Sequence, residues 1–238
     1  MAMVVFGAAG GLGRAITERL VHEFPEQQII AISRQSAKSR VTGVQYIALG
    51  EYGEQSLSQW ASNFKQAGAQ LDGVVSTIGM LHDEETFPEK QLADITADNL
   101  EKLFAVNAVA PMLILKHCQP LFDKKNKAFF VQLSAKVGSI EDNYLGGWYA
   151  YRASKAALNM QLKTASIELK RSHKKLVVAA IHPGTTDTRL SKPFQKRVPE
   201  GKLYSASLSA ERIVNVIKGL TPDKSGGLFH WDGVKLPY

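Results

Sequence analysis

The sequence predicts an α/β fold in which one parallel sheet is covered by helices on both faces. Apolar, β-branched runs alternate along the chain with segments whose apolar residues recur at helical spacing. Strands that are apolar throughout are typical of parallel sheets buried on both sides, and each helical return to the sheet makes a right-handed crossover. A chain of 238 residues fits one such domain, residues 1–238.

Seven strands are predicted from the apolar runs, at residues 3–6, 28–32, 44–49, 73–76, 128–133, 176–181 and 227–230. Five helical segments are predicted at residues 12–24, 54–67, 100–122, 149–170 and 206–220. Pro111 lies inside the third of these segments. Because the proline ring clashes with the preceding turn of a helix, we expect the segment to divide into two helices.

The composition argues against several classes of protein. The longest nearly apolar stretch, residues 105–115, is too short to cross a bilayer, so we expect no membrane association. The N-terminal residues lead into the first predicted strand without a basic segment, unlike a signal peptide. Cys118 is the one cysteine, which rules out an internal disulfide and favours a cytoplasmic location. The six histidines are scattered, and we expect no metal site.

The net charge of +7 requires a choice among nucleic acid, membranes and small anions as partners. The lysines and arginines are spread along the chain in small clusters rather than gathered into one segment. We therefore expect no nucleic-acid partner. A multiply charged cofactor is the anion that fits best.

A glycine-rich loop follows the first predicted strand and precedes the first helix. Gly7, Gly11 and Gly13 form the pattern G-x-x-x-G-x-G, with Ala9 and Leu12 between them. Glycine allows a tight turn and lets the backbone approach a pyrophosphate, which then lies against the unpaired N–H groups of the helix N-terminus. The placement between a strand and a helix favours a dinucleotide site over a plain turn.

The residues that end the second strand select the nicotinamide nucleotide. A carboxylate there suits the ribose hydroxyl groups of NAD, whereas an arginine suits the 2′-phosphate of NADP. The sequence has Ser33 and Arg34 at this point and no carboxylate before Glu51. Because a guanidinium group binds phosphate well and the serine hydroxyl adds a hydrogen bond, we predict NADP. NAD is the alternative if Arg34 is only a solvated loop residue.

Tyr151 and Lys155 lie four residues apart in a predicted helix and therefore share one face. At about 5 Å and an effective dielectric constant of about 20, the ammonium group favours the phenolate by roughly 3 kcal/mol. We expect this to lower the pKa of the tyrosine by about two units, so that Tyr151 serves as acid and base in hydride transfer. Tyr149 lies on another face and fits this role less well.

Longer motifs accompany these residues. Residues 146–160 read GGWYAYRASKAALNM, residues 183–188 read PGTTDT, residues 231–233 read WDG, and Asn107 stands in the string FAVNA. On these motifs the chain resembles the short-chain dehydrogenase/reductase family over essentially all of its length. Within that family it is most similar to the C-factor-like and sniffer-like carbonyl reductases. We therefore predict a Rossmann-type doubly wound sheet of seven parallel strands in the order 3-2-1-4-5-6-7.

The resemblance also implies roles for individual residues. Asn107 would hold a water in a proton relay to Lys155, which would also bind the ribose of the nicotinamide. Residues 186–204 would form a mobile lid over the substrate, and helices 100–122 and 149–170 would form the interface of a homodimer or homotetramer. Further cofactor contacts would come from Thr77, Gly79, Pro183, Gly184, Thr186 and Thr188.

The sequence departs from the family's pattern at the catalytic serine. Aligned on Gly138, that position is Ala135, and Ser134 precedes it. Because successive strand residues point to opposite faces, Ser134 replaces the missing hydroxyl only if the strand ends early or bulges. We name Ser134 as the fourth candidate catalytic residue, and Ser139, on the following loop, as a weaker substitute.

We predict an oxidoreductase that transfers hydride between NADP(H) and a carbonyl or alcohol substrate. The alternative is a C-factor-like signalling or regulatory protein that binds NAD(P) with weak or no turnover, and Ala135 favours it. The proton-relay residues favour the enzyme, because a binding module has no need of them. Apolar side chains expected to wall an apolar or aromatic substrate are Met80, Leu81, Leu145, Trp148, Leu190 and Phe194.

Overall fold

The computed structural model describes residues 1–36 and 40–238. Its ten strands are β1 (Ala2–Phe6), β2 (Gln28–Ser33), β3 (Val44–Ala48), β4 (Leu71–Ser76), β5 (Ala128–Leu133), β6 (Leu176–His182), β7 (Thr185–Thr186), β8 (Leu203–Tyr204), β9 (Leu228–His230) and β10 (Lys235–Leu236). Its α-helices are α1 (Gly11–Glu23), α2 (Glu54–Gln66), α3 (Ala97–Phe104), α4 (Ala110–Cys118), α5 (Tyr149–Leu169) and α6 (Ala206–Lys218). None of the helices in the described ranges is both long and apolar enough to span a bilayer.

The main sheet has eight strands in the order β10-β9-β6-β5-β4-β1-β2-β3. Seven of them are parallel and follow the predicted order, with β9 as the seventh strand, which confirms the fold class. An eighth strand, β10, adds an antiparallel edge to the predicted seven. The chain reverses at Gly233, whose φ of +86° suits glycine, and a strand of two residues is too short to be recognised from periodicity.

Alternate residues of the central strands pack into two cores on opposite faces of the sheet. Val4 and Val74 lie in the core that contains side chains of α2, α4 and α5. Val5 and Val75 lie in the core that contains side chains of α1 and α6. Both faces of the strands are therefore buried, which explains why the strand sequences are apolar throughout rather than alternating.

The helical segment that contains Pro111 is divided into two α-helices, α3 and α4. The backbone remains helical, and Ala105–Val109 form a wider π turn between α3 and α4. Pro111 follows as the second residue of α4, where its missing N–H leaves fewer backbone hydrogen bonds to satisfy. The prediction of two helices is thus correct, and the structure adds that the division lies before Pro111 and keeps a helical backbone. The π turn contains Asn107.

Two short strands connect the ends of the predicted lid segment. In the small parallel sheet formed by β7 and β8, Thr185 pairs with Leu203 and Thr186 pairs with Tyr204. The N–H of Asp187 then donates to the carbonyl oxygen of Tyr204 at 2.7 Å. Residues 187–202 therefore form a loop whose two ends are hydrogen-bonded to each other at the carboxyl end of β6.

Candidate active site

The glycine loop turns the chain sharply between β1 and α1. Gly7 has a φ of +79°, and its N–H donates to the carbonyl oxygen of Ile32 at 2.9 Å. Gly13 lies so close to the Gly7 carbonyl oxygen that a side-chain carbon would not fit there. The first turn of α1 is thereby held against the loop, with Gly10 and Gly11 exposed at its start. This first turn contains no carboxylate, so its N–H groups can hold a phosphate.

The start of the lid segment returns to the glycine loop. The methyl carbon of Thr188 lies 3.4 Å from the position that a Cβ atom on Gly11 would take. Ala9 is exposed on the same loop, and Leu12 is half-buried in the first turn of α1. The structure therefore brings Thr188, a predicted contact of the nicotinamide end, next to the loop predicted to bind the pyrophosphate.

The residues between β6 and the lid form a tight turn. Gly184 follows Pro183 with a φ of +76°, and a side chain on Gly184 would collide with the ring of Trp231. Thr186 is buried, and its hydroxyl lies 2.8 Å from that of Ser209 in α6. The Thr186 hydroxyl is thus bonded within the protein, whereas Pro183 and Gly184 are half-buried.

Arg34 is exposed at the end of β2. Ser33 beside it is buried, and its hydroxyl donates to the carbonyl oxygen of Gln35 at 2.6 Å. We expected this hydroxyl to face a cofactor; it completes the turn instead. Tyr52, which the sequence analysis did not single out, accepts a hydrogen bond from the Gly7 N–H at 3.2 Å. Burial raises the pKa of Tyr52, and the nearby charge of Arg34 opposes that rise.

The end of β4 lies beside the glycine loop. Thr77 Oγ1 is within hydrogen-bond distance of the carbonyl oxygens of Phe6 (3.0 Å) and Gly7 (3.2 Å). A Cβ atom on Gly79 would lie 3.2 Å from Lys155 Nζ and 3.5 Å from Asn107 Oδ1. The bare backbone at residue 79 thus leaves the space beside these two polar groups open.

The side chain of Asn107 joins three elements. Its Oδ1 accepts from the N–H of Met80, and its Nδ2 donates to the carbonyl oxygen of the same residue, both at 2.8 Å. Nδ2 also donates to Ser154 Oγ at 3.0 Å, and that hydroxyl donates to the carbonyl oxygen of Tyr151. Both N–H groups of the amide are thus used within the protein, whereas Oδ1 accepts one of the two hydrogen bonds that an amide oxygen can accept.

Tyr151 and Lys155 are both buried, at 8% and 3% exposure. Lys155 Nζ lies 5.9 Å from the centre of the Tyr151 ring and donates to the carbonyl oxygen of Leu133 at 3.2 Å. Burial raises the pKa of Tyr151 above its usual value and lowers that of Lys155 to about 8. The expected lowering of the phenol pKa is therefore absent in this geometry, because removal from water outweighs the attraction of the ammonium group. The phenol is therefore in its protonated form at neutral pH.

Ser134 and Ala135 face different surroundings at the end of β5. The Ser134 hydroxyl is buried and donates to Asn159 Oδ1 at 2.7 Å, whereas Ala135 packs in the apolar cluster that contains Tyr151. Ser139 is also buried, and its hydroxyl accepts from the N–H of Asp142 at 3.2 Å. This geometry argues against Ser134 as a substitute for the missing serine, since the alternation of side chains persists to the strand end.

The side chains predicted to wall a substrate divide into two groups. Leu81 lies in one apolar cluster with Tyr151, and Met80, Trp148 and Phe194 pack against that cluster. Leu145 is 92% exposed and Leu190 is 37% exposed, so the structure places Leu145 outside the wall. The reason is local. Leu145 lies on the loop between β5 and α5, before the turn that brings Trp148 back to the cluster.

His82 is a residue of this region that the sequence analysis missed. Its Nε2 lies 3.3 Å from the carbonyl oxygen of Arg189 and 3.2 Å from that of Leu190, both in the lid segment. Its ring also meets the ring of Phe194 edge-on, with 5.6 Å between the ring centres. A lone histidine in a loop carries no spacing signal that would have indicated this contact.

Residues 1–36 and 40–238 contain no cluster of three His, Cys, Asp or Glu side chains that could hold a metal ion. The polar groups of the site are instead a phenol, an ammonium group, an amide and the N–H groups of a helix N-terminus. These groups suit proton transfer and the binding of an anionic ligand.

Comparison with known proteins identifies the family to which the sequence is similar. The sequence model of the family described as short chain dehydrogenase matches residues 1–199. The chain is 27% identical over 237 residues to 1-hydroxy-2-glutathionyl-2-methyl-3-butene dehydrogenase of Rhodococcus sp., covering 99% of each chain. It is 30% identical over 147 residues to C-signal of Myxococcus xanthus, covering 62% of this chain and 83% of that protein.

Solved structures agree with the fold. The carbonyl reductase Sniffer of D. melanogaster superposes with a TM-score of 0.84 at 20% identity, covering 100% of this chain and 99% of that chain. A carbonyl reductase from chicken fatty liver with NADPH bound also gives a TM-score of 0.84 at 20% identity, covering 100% and 98%. At this identity the likeness establishes the fold and not the activity.

Replacement of Lys155 by methionine tests the buried ammonium group without any ligand. Burial lowers the pKa of Lys155 to about 8 from 10.5, so between these values the unfolded chain binds more protons than the folded one. Stability therefore increases as the pH rises through this window. We expect the free energy of unfolding of the wild type to rise by about 3 kcal/mol more than that of Lys155→Met between pH 8 and 10.5.

Chemical denaturation at a series of pH values measures this difference. Lys163→Met is the matched control, because Lys163 lies exposed on the same helix and should leave the pH dependence as it is in the wild type. Parallel curves for the wild type and Lys155→Met would show that Lys155 is not a buried cation.

Proposed function

The chain belongs to the short-chain dehydrogenase family of oxidoreductases, and we propose that it reduces carbonyl compounds with NADPH, with Tyr151 as proton donor. The observation that carries the proposal is a buried, protonated phenol in an apolar cluster at the carboxyl end of the sheet. Lys155 lies one helical turn further on. The glycine loop lies between β1 and α1, beside the switch point at which doubly wound sheets bind their ligands.

The residues around the glycine loop fit a nicotinamide dinucleotide, which supplies the hydride when it is bound. Gly7 and Gly13 keep side-chain atoms out of the loop, and the N–H groups at the start of α1 suit the pyrophosphate. Arg34 is exposed at the end of β2 and would hold a 2′-phosphate, which supports NADP over NAD. We do not include Ser33 among the phosphate contacts, because its hydroxyl donates to the carbonyl oxygen of Gln35. The NADPH-bound relative from chicken supports the same choice.

The side chains of the site support the following proton transfer. Tyr151 donates its hydroxyl proton to the carbonyl oxygen of the substrate while hydride reaches the carbonyl carbon, which yields an alcohol and a phenolate. Lys155, whose pKa near 8 leaves it mostly charged at neutral pH, stabilises the phenolate. Asn107 would hold the water through which the proton is replaced. With Ala135 at the usual serine position, the substrate oxygen has one polarising donor fewer.

The wall formed by Met80, Leu81, Trp148 and Phe194 supports an apolar or aromatic carbonyl substrate. The names of the relatives include carbonyl reductases and a dehydrogenase of a glutathionyl alcohol, which agree with a small-molecule carbonyl or alcohol substrate. We propose that the enzyme is cytoplasmic, as its single cysteine favours, and that it has no nucleic-acid or membrane partner, as its dispersed basic residues and short apolar stretches favour.

The assembly we propose is a homodimer or homotetramer through the helical segments 100–122 and 149–170. Val109 is 49% exposed, Met160 67% and Ile167 55%, and all three belong to these segments. Exposed apolar side chains on helices favour burial between subunits.

A second function remains a candidate because of Ala135. A regulatory or signalling protein that binds NAD(P) and turns over slowly would tolerate an alanine at this position. The similarity to C-signal of Myxococcus xanthus supports this candidate. The buried Asn107, Tyr151 and Lys155 support the enzyme, since burying these polar groups costs stability that a pure binding protein has no reason to lose.

Replacement of Tyr151 by phenylalanine removes one oxygen atom and keeps the ring in the cluster. We expect the wild type to consume NADPH with some of a panel of aldehydes, ketones and quinones, and Tyr151→Phe to lose about a thousandfold in kcat. The absorbance of NADPH measures the rate. Tyr149→Phe is the control, because Tyr149 lies two residues earlier and is 38% exposed, and its turnover should match the wild type.

Two outcomes would contradict the proposal. Equal turnover by Tyr151→Phe and the wild type would remove Tyr151 from the reaction. Tight binding of NADPH by the wild type without turnover of any carbonyl compound would favour the regulatory protein.

Replacement of Arg34 by alanine tests the choice of cofactor. Loss of a charge-assisted contact to phosphate should raise the Kd for NADPH by about 30-fold and leave that for NADH nearly unchanged. Fluorescence titration with each nucleotide measures both constants. Arg171→Ala, an exposed arginine beyond the far end of α5, controls for the change in net charge. Similar losses for both nucleotides would refute the NADP assignment.

Replacement of Ala135 by serine tests the missing hydroxyl. Because residue 135 packs in the cluster with Tyr151, we expect Ala135→Ser to raise kcat by about tenfold or more. Ser134→Ala should leave kcat near that of the wild type, since the Ser134 hydroxyl donates to Asn159. A large loss of kcat in Ser134→Ala, with no gain in Ala135→Ser, would restore Ser134 as the catalytic serine.

A further inference from the structure

The backbone just before the helix that carries Tyr151 is left-handed over three residues. Gly146, Gly147 and Trp148 have φ values of +64°, +64° and +55°. Glycine adopts this conformation freely, whereas a residue with a side chain pays about 1–2 kcal/mol for it. Trp148 is the only residue other than glycine with a positive φ in residues 1–36 and 40–238. Contacts with the surrounding structure must therefore stabilise this conformation of Trp148.

Glu89 makes two contacts with this turn. Its carbonyl oxygen accepts a hydrogen bond from the N–H of Trp148 at 2.6 Å, and its carboxylate Oε2 accepts one from the N–H of Ala150 at 3.1 Å. Glu89 belongs to the segment between β4 and α3 and is 3% exposed. A charged side chain is rarely buried to this extent unless its hydrogen bonds require it.

The carboxylate of Glu89 acts where the capping side chain of α5 would normally lie. Trp148 is the N-cap residue of α5, and its indole has no oxygen that could accept from the first turn of the helix. Ala150 is the second helical residue, whose N–H is one of those that the helix itself leaves unpaired. An acidic group at this position is also favoured by the helix dipole.

The residues held in this way adjoin the proposed reaction centre. The Trp148 ring packs edge-on against the Tyr151 ring, with 6.2 Å between ring centres, and lies 5.1 Å from the ring of Phe194 in the lid segment. Tyr151 follows directly after Ala150. A shift of the turn would therefore move both the phenol and one wall of the substrate pocket.

We propose that Glu89 is a positioning residue, whose buried carboxylate caps α5 from another segment and so fixes Trp148 and Tyr151. The inference rests on the proposed function in one respect only, that Tyr151 is the proton donor. The cap itself is independent of any reaction. Displacement of a reacting group by a fraction of an ångström lowers kcat while leaving a bound cofactor in place.

Three variants test the proposal. Glu89→Ala removes the cap, and Glu89→Gln keeps an oxygen acceptor of the same reach. Asp94→Asn is the matched control, because Asp94 is an exposed acid that makes similar contacts to backbone N–H groups of its own segment. We expect Glu89→Ala to lower kcat by about 30- to 100-fold with a much smaller change in the KM for NADPH. Glu89→Gln should recover most of kcat, and Asp94→Asn should retain it.

Hydrogen exchange of the free protein provides a second readout that needs no activity. The amides of Trp148 and Ala150 should exchange at least about tenfold faster in Glu89→Ala than in the wild type, and Glu89→Gln should lie between the two. If Glu89→Ala does not fold, the same comparison is made with Glu89→Gln, whose kcat and exchange should both shift slightly in the stated directions.

The outcomes separate this proposal from the proposed function. Unchanged exchange at residues 148 and 150 would overturn the cap, whatever the activity. Faster exchange with unchanged kcat would reduce Glu89 to a structural cap and overturn its positioning role. Absence of turnover in the wild type itself would refute the proposed function, and the exchange data would still decide whether Glu89 holds the turn.

Discussion

The amide of Asn107 holds together parts of the molecule that are far apart in the sequence. It bonds both polar groups of the Met80 backbone and the hydroxyl of Ser154, and it is completely buried. The π turn at residues 105–109 contains this side chain and interrupts the regular α-helix at that point. A buried amide that loses its hydrogen-bond partners costs about 1–3 kcal/mol for each unpaired group. These bonds therefore fix the positions of the loop after β4, the long helical segment and α5 relative to one another. The position of α5, and with it that of Tyr151 and Lys155, depends on these bonds.

Most of the fold could be predicted because its strands are buried on both faces. Val4 and Val5 point into different cores, so a run of apolar residues without alternation identifies a central parallel strand. The parts that were not predicted depend on interactions beyond a short window. β10 has two residues and exists because Gly233 reverses the chain. The π turn before Pro111 contains Asn107, whose side chain bonds to Met80 in the loop after β4 and to Ser154 in α5.

The residue types of the candidate site were predictable, and their geometry was not. The spacing of Tyr151 and Lys155 places them on one helix, yet spacing says nothing about solvent, and burial dominates both pKa values. Ser134 is one residue from the expected position and faces Asn159, because a strand sends neighbouring side chains to opposite sides. Glu89 carries no local signal. Its function depends on a helix that begins sixty residues later along the chain.

The short ladder between β7 and β8 has a consequence for how this architecture changes over evolution. It joins the two ends of residues 187–202 outside the main sheet, so that segment is a closed loop, from which Phe194 packs against the cluster with Tyr151. Because closing a loop of different length between fixed ends changes the entropy only slowly, insertions and exchanges there are thermodynamically tolerable. Changes within residues 189–202 would therefore alter the apolar surroundings of Tyr151, to which Phe194 contributes, while the main sheet stays as it is.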